Sequence, residues 1–366
     1  MRHIQCARGN RAGGSASRWL AAVVGGLAIA GAQVAAAQIL SEGPLPPGAV
    51  VSDGSFGTSP WTNPGNAITS DNTYAVTAPG GLPTQYLKAT NFGFNIPAPA
   101  EILGIEVDLE RRCTAATVFD VRARIVKGGT VGTAERALGG TWPTVDTVVT
   151  YGTPSDLWGE TWTPADINGA GFGFALSVAD GVDTAAVDSI AITVHYSLCA
   201  SAPAAGCRTA LKSILVVKDG GVNSTKDKIV WKWVKGQTTP TVDFADPLAT
   251  ASYALCVYSN GALVGESLVG PGPGWSAIST KGFKFLDKNG AQDGIQKIIL
   301  KASTANKSKA LVKGKGANLT DIVPPLTLPV VVQLVNSDNG LCFQGDFLNA
   351  GDVKKNAAGL FKGKNQ

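Results

Sequence analysis

The sequence predicts an all-β protein made of two antiparallel β-sandwich domains of the jelly-roll kind, which follow a cleaved signal peptide. Three observations support this prediction. Apolar and polar residues alternate with period two along most of the chain. Clusters of Gly, Pro, Asn and Asp separate the alternating segments, as expected for turns between strands. No amphipathic helical pattern longer than about ten residues interrupts them.

Residues 1–37 have the composition of a signal peptide. Four arginines give a basic start: Arg2, Arg8, Arg11 and Arg18. An apolar stretch over 19–32 and a small-residue cleavage site at 35–37 follow them. The stretch is shorter than the roughly twenty residues that span a bilayer, and no Cys follows it to carry a lipid. We therefore expect a secreted protein, extracellular or periplasmic, without a membrane anchor.

The remaining chain divides into two halves of opposite charge. Residues 41–198 contain seven Lys/Arg against sixteen Asp/Glu, and residues 199–366 contain twenty against eleven, which gives −9 and +9. Such asymmetry indicates two domains with different contacts. We expect an acidic β-sandwich domain over 38–198, a Cys-flanked junction over 199–210 and a basic β-sandwich domain over 211–366.

Strands are predicted in both halves from their alternation. In the acidic half, segments 105–110 and 119–125 each place apolar residues on one face and charged residues on the other. Paired as a hairpin across 112–117, they would set an acidic row beside an arginine row. Further strands are expected at 172–178 and 190–196. In the basic half the expected strands are 229–233, 255–257, 283–285, 298–300, a strand at Leu311, and 330–335.

Five cysteines follow the predicted leader. They are Cys113, Cys199, Cys207, Cys256 and Cys342. In an exported chain we expect disulfides, with Cys199 bonded to Cys207 across the junction and Cys256 to Cys342, while other connectivities stay open. Cys113 would remain free. A zinc site is not expected, because no C-x-x-C is present and His195 is the only His after the leader.

Parts of both halves resemble known exported modules. The segments 61–67 (WTNPGNA), 89–97 (ATNFGFNIP), 156–159 (DLWG) and 162–168 (WTPADIN) resemble β-sandwich modules of phage structural proteins and of uncharacterised exported bacterial proteins. The segments 228–233 (KIVWKW), 253–258 (YALCVY) and 282–288 (GFKFLDK) are similar to a C-terminal segment of secreted proteins from environmental proteobacteria. The resemblance implies a two-domain β-sandwich and an exported location, and it brings no catalytic residue.

No catalytic motif is found in the sequence. The expected position of His195 is the polar face of a strand, and no P-loop, H-E-x-x-H or dinucleotide motif occurs. The expectation is a protein that is not an enzyme and needs no cofactor or metal. A glycoside hydrolase would use a pair of carboxylates from Glu106, Asp108, Glu110, Asp156, Glu160 and Asp166. A calcium loop at Asp287, Asn289 and Asp293 is the alternative to a simple hairpin turn there.

Two groups of residues are candidates for binding. Trp142, Tyr151, Trp158 and Trp162 lie in Gly- and Pro-containing connections, where aromatic rings could stack on sugars or close the ends of a sandwich core. The second group is Lys301, Lys307, Lys309, Lys313 and Lys315, with Lys226, Lys228, Lys232 and Lys235 around the tryptophan strand.

Gathered on one face, these lysines would bind a polysaccharide or another anionic polymer; otherwise they keep strand edges soluble. Nothing resembles a nucleic-acid-binding motif, so nucleic acid is not the expected partner. The sequence thus favours a secreted, non-enzymatic surface-association or binding protein. The alternatives are a polysaccharide hydrolase or lyase and a self-assembling envelope protein.

Overall fold

A computed structural model describes residues 39–366 apart from 79, 81, 180–182, 223 and 305. These residues form four antiparallel sheets and one short α-helix, α1 (Pro164–Asn168). The predicted all-β class is confirmed, and the paired sheets are consistent with β-sandwiches. The predicted signal peptide lies outside the described residues. Among the described residues, no helix is long and apolar enough to cross a membrane.

Strands between residues 40 and 197 form the first two sheets. They are β1 (Leu40–Leu45), β2 (Ala49–Asp53), β3 (Trp61–Thr62), β4 (Ala75–Thr77), β5 (Tyr86–Thr90), β6 (Glu101–Cys113), β7 (Phe119–Lys127), β8 (Thr130–Val131), β9 (Thr147–Thr153), β10 (Gly173–Ala179) and β11 (Ala185–Ser197). One sheet has the order β3-β4-β11-β6-β9, with β1 also paired to β11, and the other has the order β2-β5-β10-β7-β8.

Strands between residues 210 and 365 form the other two sheets. They are β12 (Ala210–Lys218), β13 (Lys228–Gly236), β14 (Tyr253–Ser259), β15 (Ala262–Val269), β16 (Trp275–Ala277), β17 (Gly282–Leu286), β18 (Ile295–Lys301), β19 (Ser308–Lys315), β20 (Val330–Asn336), β21 (Cys342–Phe347), β22 (Val353–Ala357) and β23 (Leu360–Asn365). An eight-stranded sheet has the order β16-β17-β18-β19-β13-β12-β23-β22, and a four-stranded sheet has the order β15-β14-β20-β21. Short 3₁₀ helices occupy Pro64–Ile68, Thr241–Phe244, Ser279–Lys281 and Ala350–Asp352.

The predicted strands at 105–110 and 119–125 are present, but they do not pair with each other. β6 pairs with β11 and β9, whereas β7 pairs with β10 and β8 in the opposite sheet. The hairpin prediction is therefore wrong. The reason is that facing strands in two sheets bury both apolar faces in one core, which a flat hairpin does not achieve. Asp183 fixes the connection between the sheets, accepting the backbone N–H groups of Thr114 and Ala115 at 2.8 Å.

The four-stranded sheet is covered on both faces. Tyr253, Leu255 and Val257 of β14 pack into the core shared with the eight-stranded sheet. The alternate residues Ala254 and Cys256 belong to the core cluster formed mainly by the first half. Because successive side chains of a strand point to opposite faces, β14 contributes to both cores.

The junction crosses the face of the four-stranded sheet that points away from the eight-stranded sheet, and two disulfides bond it to this sheet. The disulfides join Cys199 to Cys256 and Cys207 to Cys342, so the predicted connectivity is wrong, although the same four cysteines are bonded. Cys113 is free and buried, as predicted. Between the two bridges, Gln333 exchanges two hydrogen bonds with the backbone of Ala204, at 3.0 and 2.8 Å. Each junction cysteine is therefore bonded to a strand of this sheet, Cys199 to β14 and Cys207 to β21.

Candidate anion-binding face

The eight-stranded sheet has one apolar face and one cationic face. Trp231 and Trp233 of its central strand β13 are fully buried on the inner face. The sequences of its eight strands contain no Asp or Glu. Its lysines therefore have no carboxylate neighbour within the sheet.

Strand register places thirteen lysines on the outer face, which we call the outer lysine face. Its members are Lys212, Lys218, Lys228, Lys232, Lys284, Lys297, Lys301, Lys309, Lys313, Lys315, Lys355, Lys362 and Lys364. They are exposed or half-exposed. Half-exposed aliphatic residues, including Ile214, Val230, Ile299 and Leu311, lie between them on the same face.

Five pairs of these lysines lie directly opposite each other on neighbouring strands. The pairs are Lys218–Lys228, Lys228–Lys315, Lys297–Lys313, Lys301–Lys309 and Lys355–Lys362. Side chains in such positions have Cβ atoms about 4.5–5.5 Å apart, and like charges there destabilise the sheet. The fold therefore concentrates positive charge at an energetic cost.

No internal ion pair relieves this charge in the part of the chain that the structure describes. The basic half has nineteen lysines, and its one ion pair within 4 Å joins Arg208 to Asp243, at 2.5 Å. Lysine ammonium groups are compact, hydrated point charges on flexible stems, whereas arginine would provide a rigid bidentate fork. A face made of lysines suits an anion of high charge density and adaptable geometry.

At one end of the outer lysine face, five lysines surround an open depression of about 640 Å³. We call it the five-lysine depression, and its lysines are Lys218, Lys226, Lys228, Lys313 and Lys315. The polar residues Thr225 and Gln296 also line it.

Three carboxylates lie near this depression, around a smaller cavity that Lys218 and Lys228 also line. Asp227 is buried and accepts the backbone N–H groups of Gly220 and Ser224 at 2.7 and 3.2 Å. Asp219 accepts the N–H of Gly221 at 2.6 Å. Burial, together with the negative charge of Asp219 and Asp227, raises the pKa of Asp321 above its ordinary value. Asp219 and Asp227 are thus engaged by backbone and form no ion pair with the lysines of the depression.

The predicted lysine candidates fall mostly on this face. Lys301, Lys309, Lys313 and Lys315 belong to it, as do Lys228 and Lys232. Lys307 lies in the turn before β19, Lys226 precedes β13, and Lys235 lies at a register shift in β13. Sequence reasoning missed seven members: Lys212, Lys218, Lys284, Lys297, Lys355, Lys362 and Lys364. Their signal is lysine alternating with apolar residues and the absence of acidic residues, as in 295–301 (IQKIILK) and 360–365 (LFKGKN).

Three of the four aromatic candidates are core residues. Trp142 and Tyr151 are 1% exposed and Trp158 is 0% exposed. The indole N–H of Trp158 donates to the carbonyl of Ile105 at 2.9 Å, and its ring meets Phe174 edge-on. These rings have no face open to a sugar, so their predicted role in stacking is corrected to closing the core.

Trp142 and Tyr151 belong to a buried polar network. Asp120 accepts hydrogen bonds from Arg111 at 2.6 Å, from the indole of Trp142 at 2.7 Å and from the hydroxyl of Tyr151 at 2.9 Å. The guanidinium of Arg111 also lies 4.7 Å from the centre of the Trp142 ring. Burial and the charge of Asp120 raise the pKa of Tyr151 above its ordinary range. The network links β6, β7 and β9, and hence the two sheets, through the core.

Trp162, the fourth aromatic candidate, is half-buried at the end of the first sandwich. Its indole N–H donates to the carbonyl of Leu157 at 3.0 Å, its ring meets Phe172 edge-on, and Lys127 lies 5.2 Å from the ring centre. A partly covered ring of this kind offers at most one small contact surface.

Five of the six candidate catalytic carboxylates have structural partners. Glu106 lies 2.7 Å from the Nε2 of His195 on the outer face of the first sheet. Asp156 binds the guanidinium of Arg136 through both oxygens, which lowers the pKa of Asp156. Asp166 caps α1 by accepting from the backbone of Thr163 at 2.9 Å.

No metal site is found among the described residues. No group of three or more His, Cys, Asp or Glu side chains is placed there to hold a metal ion. At the alternative calcium loop, Asp287 accepts the backbone N–H groups of Asn289 and Ala291, at 2.9 and 2.6 Å. Asp293 accepts from Leu268 at 2.6 Å. These oxygens stabilise a turn and its contact with β15.

No protein-family model, curated protein or solved structure matches this chain. The fold and the site together define an all-β protein with a two-layered basic half and a cationic sheet face. Its two disulfides are typical of an oxidising compartment.

Proposed function

We propose that this is a secreted, non-enzymatic binding protein whose outer lysine face binds an anionic polysaccharide. One observation carries the proposal: five lysine pairs lie directly opposite each other on a sheet whose strands contain no carboxylate. Each pair costs stability of up to about 1 kcal/mol. An external polyanion would neutralise all five at once.

Protection of strand edges does not account for these lysines. Edge strands are commonly blunted by lysine. Here, however, Lys218, Lys228 and Lys315 lie on β12, β13 and β19, which are interior strands of the sheet. Interior strands have no free edge to protect, so the charge on them favours a binding role.

The size of the face suits an extended polymer. Eight strands at the usual spacing of about 4.8 Å give a sheet roughly 34 Å across. The aliphatic residues between the lysines would contact the apolar faces of sugar rings, while the ammonium groups contact the acidic substituents. Binding of this kind depends strongly on salt, since the face and the polymer attract each other through exposed charges.

The proposal is tested by co-sedimentation of the protein with neutral and acidic insoluble polysaccharides at low and high salt. We expect binding to the acidic polymers only, weakened at least about tenfold between 50 mM and 500 mM salt. Sugar released into the supernatant would instead support the hydrolase or lyase alternative. Binding that is equally strong to neutral polymers would contradict the role of the lysines.

A matched pair of variants assigns the binding to the face. Four substitutions on the face (Lys232→Gln, Lys301→Gln, Lys309→Gln and Lys364→Gln) should lower the affinity about tenfold or more. Four substitutions off its rows (Lys235→Gln, Lys281→Gln, Lys288→Gln and Lys307→Gln) remove the same charge from bulge, 3₁₀ and turn positions. If both sets weaken binding equally, the protein responds to net charge alone.

Self-association is a second candidate, favoured by an acidic row in the first half. Glu106, Asp108 and Glu110 lie on one face of β6 beside Thr193, Ala191 and Ser189 of β11. Such a row could contact the outer lysine face of another copy, and a contact between two different surfaces extends into an open assembly. Sedimentation velocity at low salt tests it: growth with concentration supports assembly, and a constant monomer excludes it.

A further inference from the structure

The five-lysine depression differs from the rest of the outer lysine face in its charge density. Lys218, Lys228 and Lys315 start from positions directly opposite one another on three adjacent strands. At the usual strand spacing, their Cα atoms lie within a row of roughly 10 Å. Lys313 lies two residues before Lys315 in β19, on the same face of the sheet. Lys226 is the fifth lysine of the lining.

The lining also supplies uncharged hydrogen-bonding groups. Thr225 and Gln296 line the depression together with the five lysines, and the Gln296 amide donates one hydrogen bond to the carbonyl of Lys288 at 3.1 Å. Every lysine there can donate three hydrogen bonds, and none forms an ion pair within 4 Å among the described residues. The depression is thus rich in donors and lacks a carboxylate in its own lining.

The charge of a ligand group decides which anion suits this site. A carboxylate carries a single charge and two oxygens, and a uronic acid has one carboxylate on each sugar ring. A phosphate monoester carries about −1.5 to −2 charges and three acceptor oxygens at neutral pH. Two neighbouring phosphates therefore match a cluster of five ammonium groups better than the carboxylates that fit the same length of polymer.

We propose that the five-lysine depression is a phosphate site, which takes a closely spaced pair of phosphate groups carried by the anionic polysaccharide. The remainder of the outer lysine face contacts the polymer less selectively. This inference rests on the proposed function and narrows its ligand from anionic polysaccharides in general to phosphorylated ones.

The test uses one glycan with different substituents. The purified protein is titrated calorimetrically with phosphorylated dextran, with carboxymethyl dextran of equal substitution and with neutral dextran. We expect phosphorylated dextran to bind at least about tenfold more tightly than the carboxymethyl form. Inorganic pyrophosphate, added as a free competitor, should displace phosphorylated dextran, which shows that the phosphate group itself is recognised.

Two variants with equal charge loss locate the site. Lys228→Gln/Lys315→Gln removes a directly opposite pair inside the depression, and Lys301→Gln/Lys309→Gln removes a directly opposite pair outside it. The first variant should lose the preference for phosphate, and the second should keep it. Both remove a like-charge repulsion, so both are expected to fold, which thermal unfolding would verify.

The outcomes separate this inference from the proposed function. Equal affinity for both charged dextrans, or a preference that survives Lys228→Gln/Lys315→Gln, overturns the phosphate site and leaves polyanion binding intact. Failure to bind either charged dextran or free pyrophosphate overturns both proposals. Direct calorimetric binding of pyrophosphate without binding of any dextran would support the site and overturn the polysaccharide as its carrier.

Discussion

The two halves of the molecule use their charges in opposite ways. In the first half, six of the seven Lys/Arg residues form ion pairs, with Asp53, Asp120, Asp146, Glu135, Asp166 and Asp156. The seventh, Arg122, lies over the ring of Phe56. In the described residues of the second half, nineteen lysines have no such partner. The basic residues of the first half are thus engaged within its own fold, whereas the lysines of the second half form no ion pair among the described residues.

The two cores also differ in whether they contain charged side chains. The first core contains Arg111 and Asp120, both nearly fully buried and hydrogen-bonded to aromatic side chains. The second core is apolar around Trp231 and Trp233, and thirteen of the nineteen lysines of this half lie on the opposite face of the eight-stranded sheet. A buried, hydrogen-bonded ion pair favours one arrangement of its neighbours in the first core, whereas apolar side chains pack around the tryptophans of the second.

The largest effect should come from the buried network of the first half. Asp120→Ala leaves the Arg111 charge unpaired in the core, so the free energy of unfolding should fall by about 3–5 kcal/mol. Lys232→Ala on the outer lysine face is the matched change in the second half, and we expect at most about 0.5 kcal/mol. Urea unfolding of both variants measures this. Similar losses would contradict the division of roles between the halves.

An intermediate effect is expected from Asp183, also in the first half. Burial alone would raise its pKa, but hydrogen bonds from Thr114, Ala115 and Thr117 outweigh burial and hold the pKa well below its ordinary value. This carboxylate therefore stabilises the fold above about pH 4, and the contribution is lost as the pH falls through the folded pKa. Asp183→Asn should cost about 2 kcal/mol at pH 7.

The pH dependence gives the control for this change. Below about pH 4 the wild-type protein begins to lose the contribution of Asp183, so the difference from the Asn variant should begin to shrink. Denaturant unfolding from pH 7 to pH 3 measures it. A difference that is constant over this range would mean that Asp183 acts only through its shape.

The smallest change in the free energy of unfolding is expected for the like-charge pairs of the second half. Here the substitution should stabilise the protein rather than destabilise it. Lys228→Gln relieves repulsion from Lys218 and Lys315 and should raise the free energy of unfolding by about 0.5 kcal/mol at low salt. The gain should vanish near 1 M salt, where charges are screened within about 3 Å. The control variant Lys288→Gln, in a turn, should leave the free energy of unfolding unchanged. A loss of stability on Lys228→Gln would show that the lysine pairs are not strained.

The sequence predicted what depends on local alternation. Period two located part of the strands, among them β6, β7, β10, β11 and β13, and the lysines of 301–315 pointed to the basic face. The partner of β6 was not predictable, because period two fixes which residues face the core and leaves open which strand lies alongside. The disulfides were mispaired for a related reason: Cys199 and Cys207 are close in sequence, but the junction extends across a sheet. Trp142 is buried against Arg111 and Asp120. These two residues lie on strands of opposite sheets, and only the packing of the sheets brings them into contact.

The two disulfides also determine how the molecule would carry tension. A polymer attached to β23 and held against the first half pulls along the covalent path of the chain. At Cys207 that path crosses to Cys342, so the 134 residues between them are bypassed. The interior strands β12, β13 and β19 lie within this bypassed loop. Under a pull applied through β23, the backbone of this loop therefore carries no direct load.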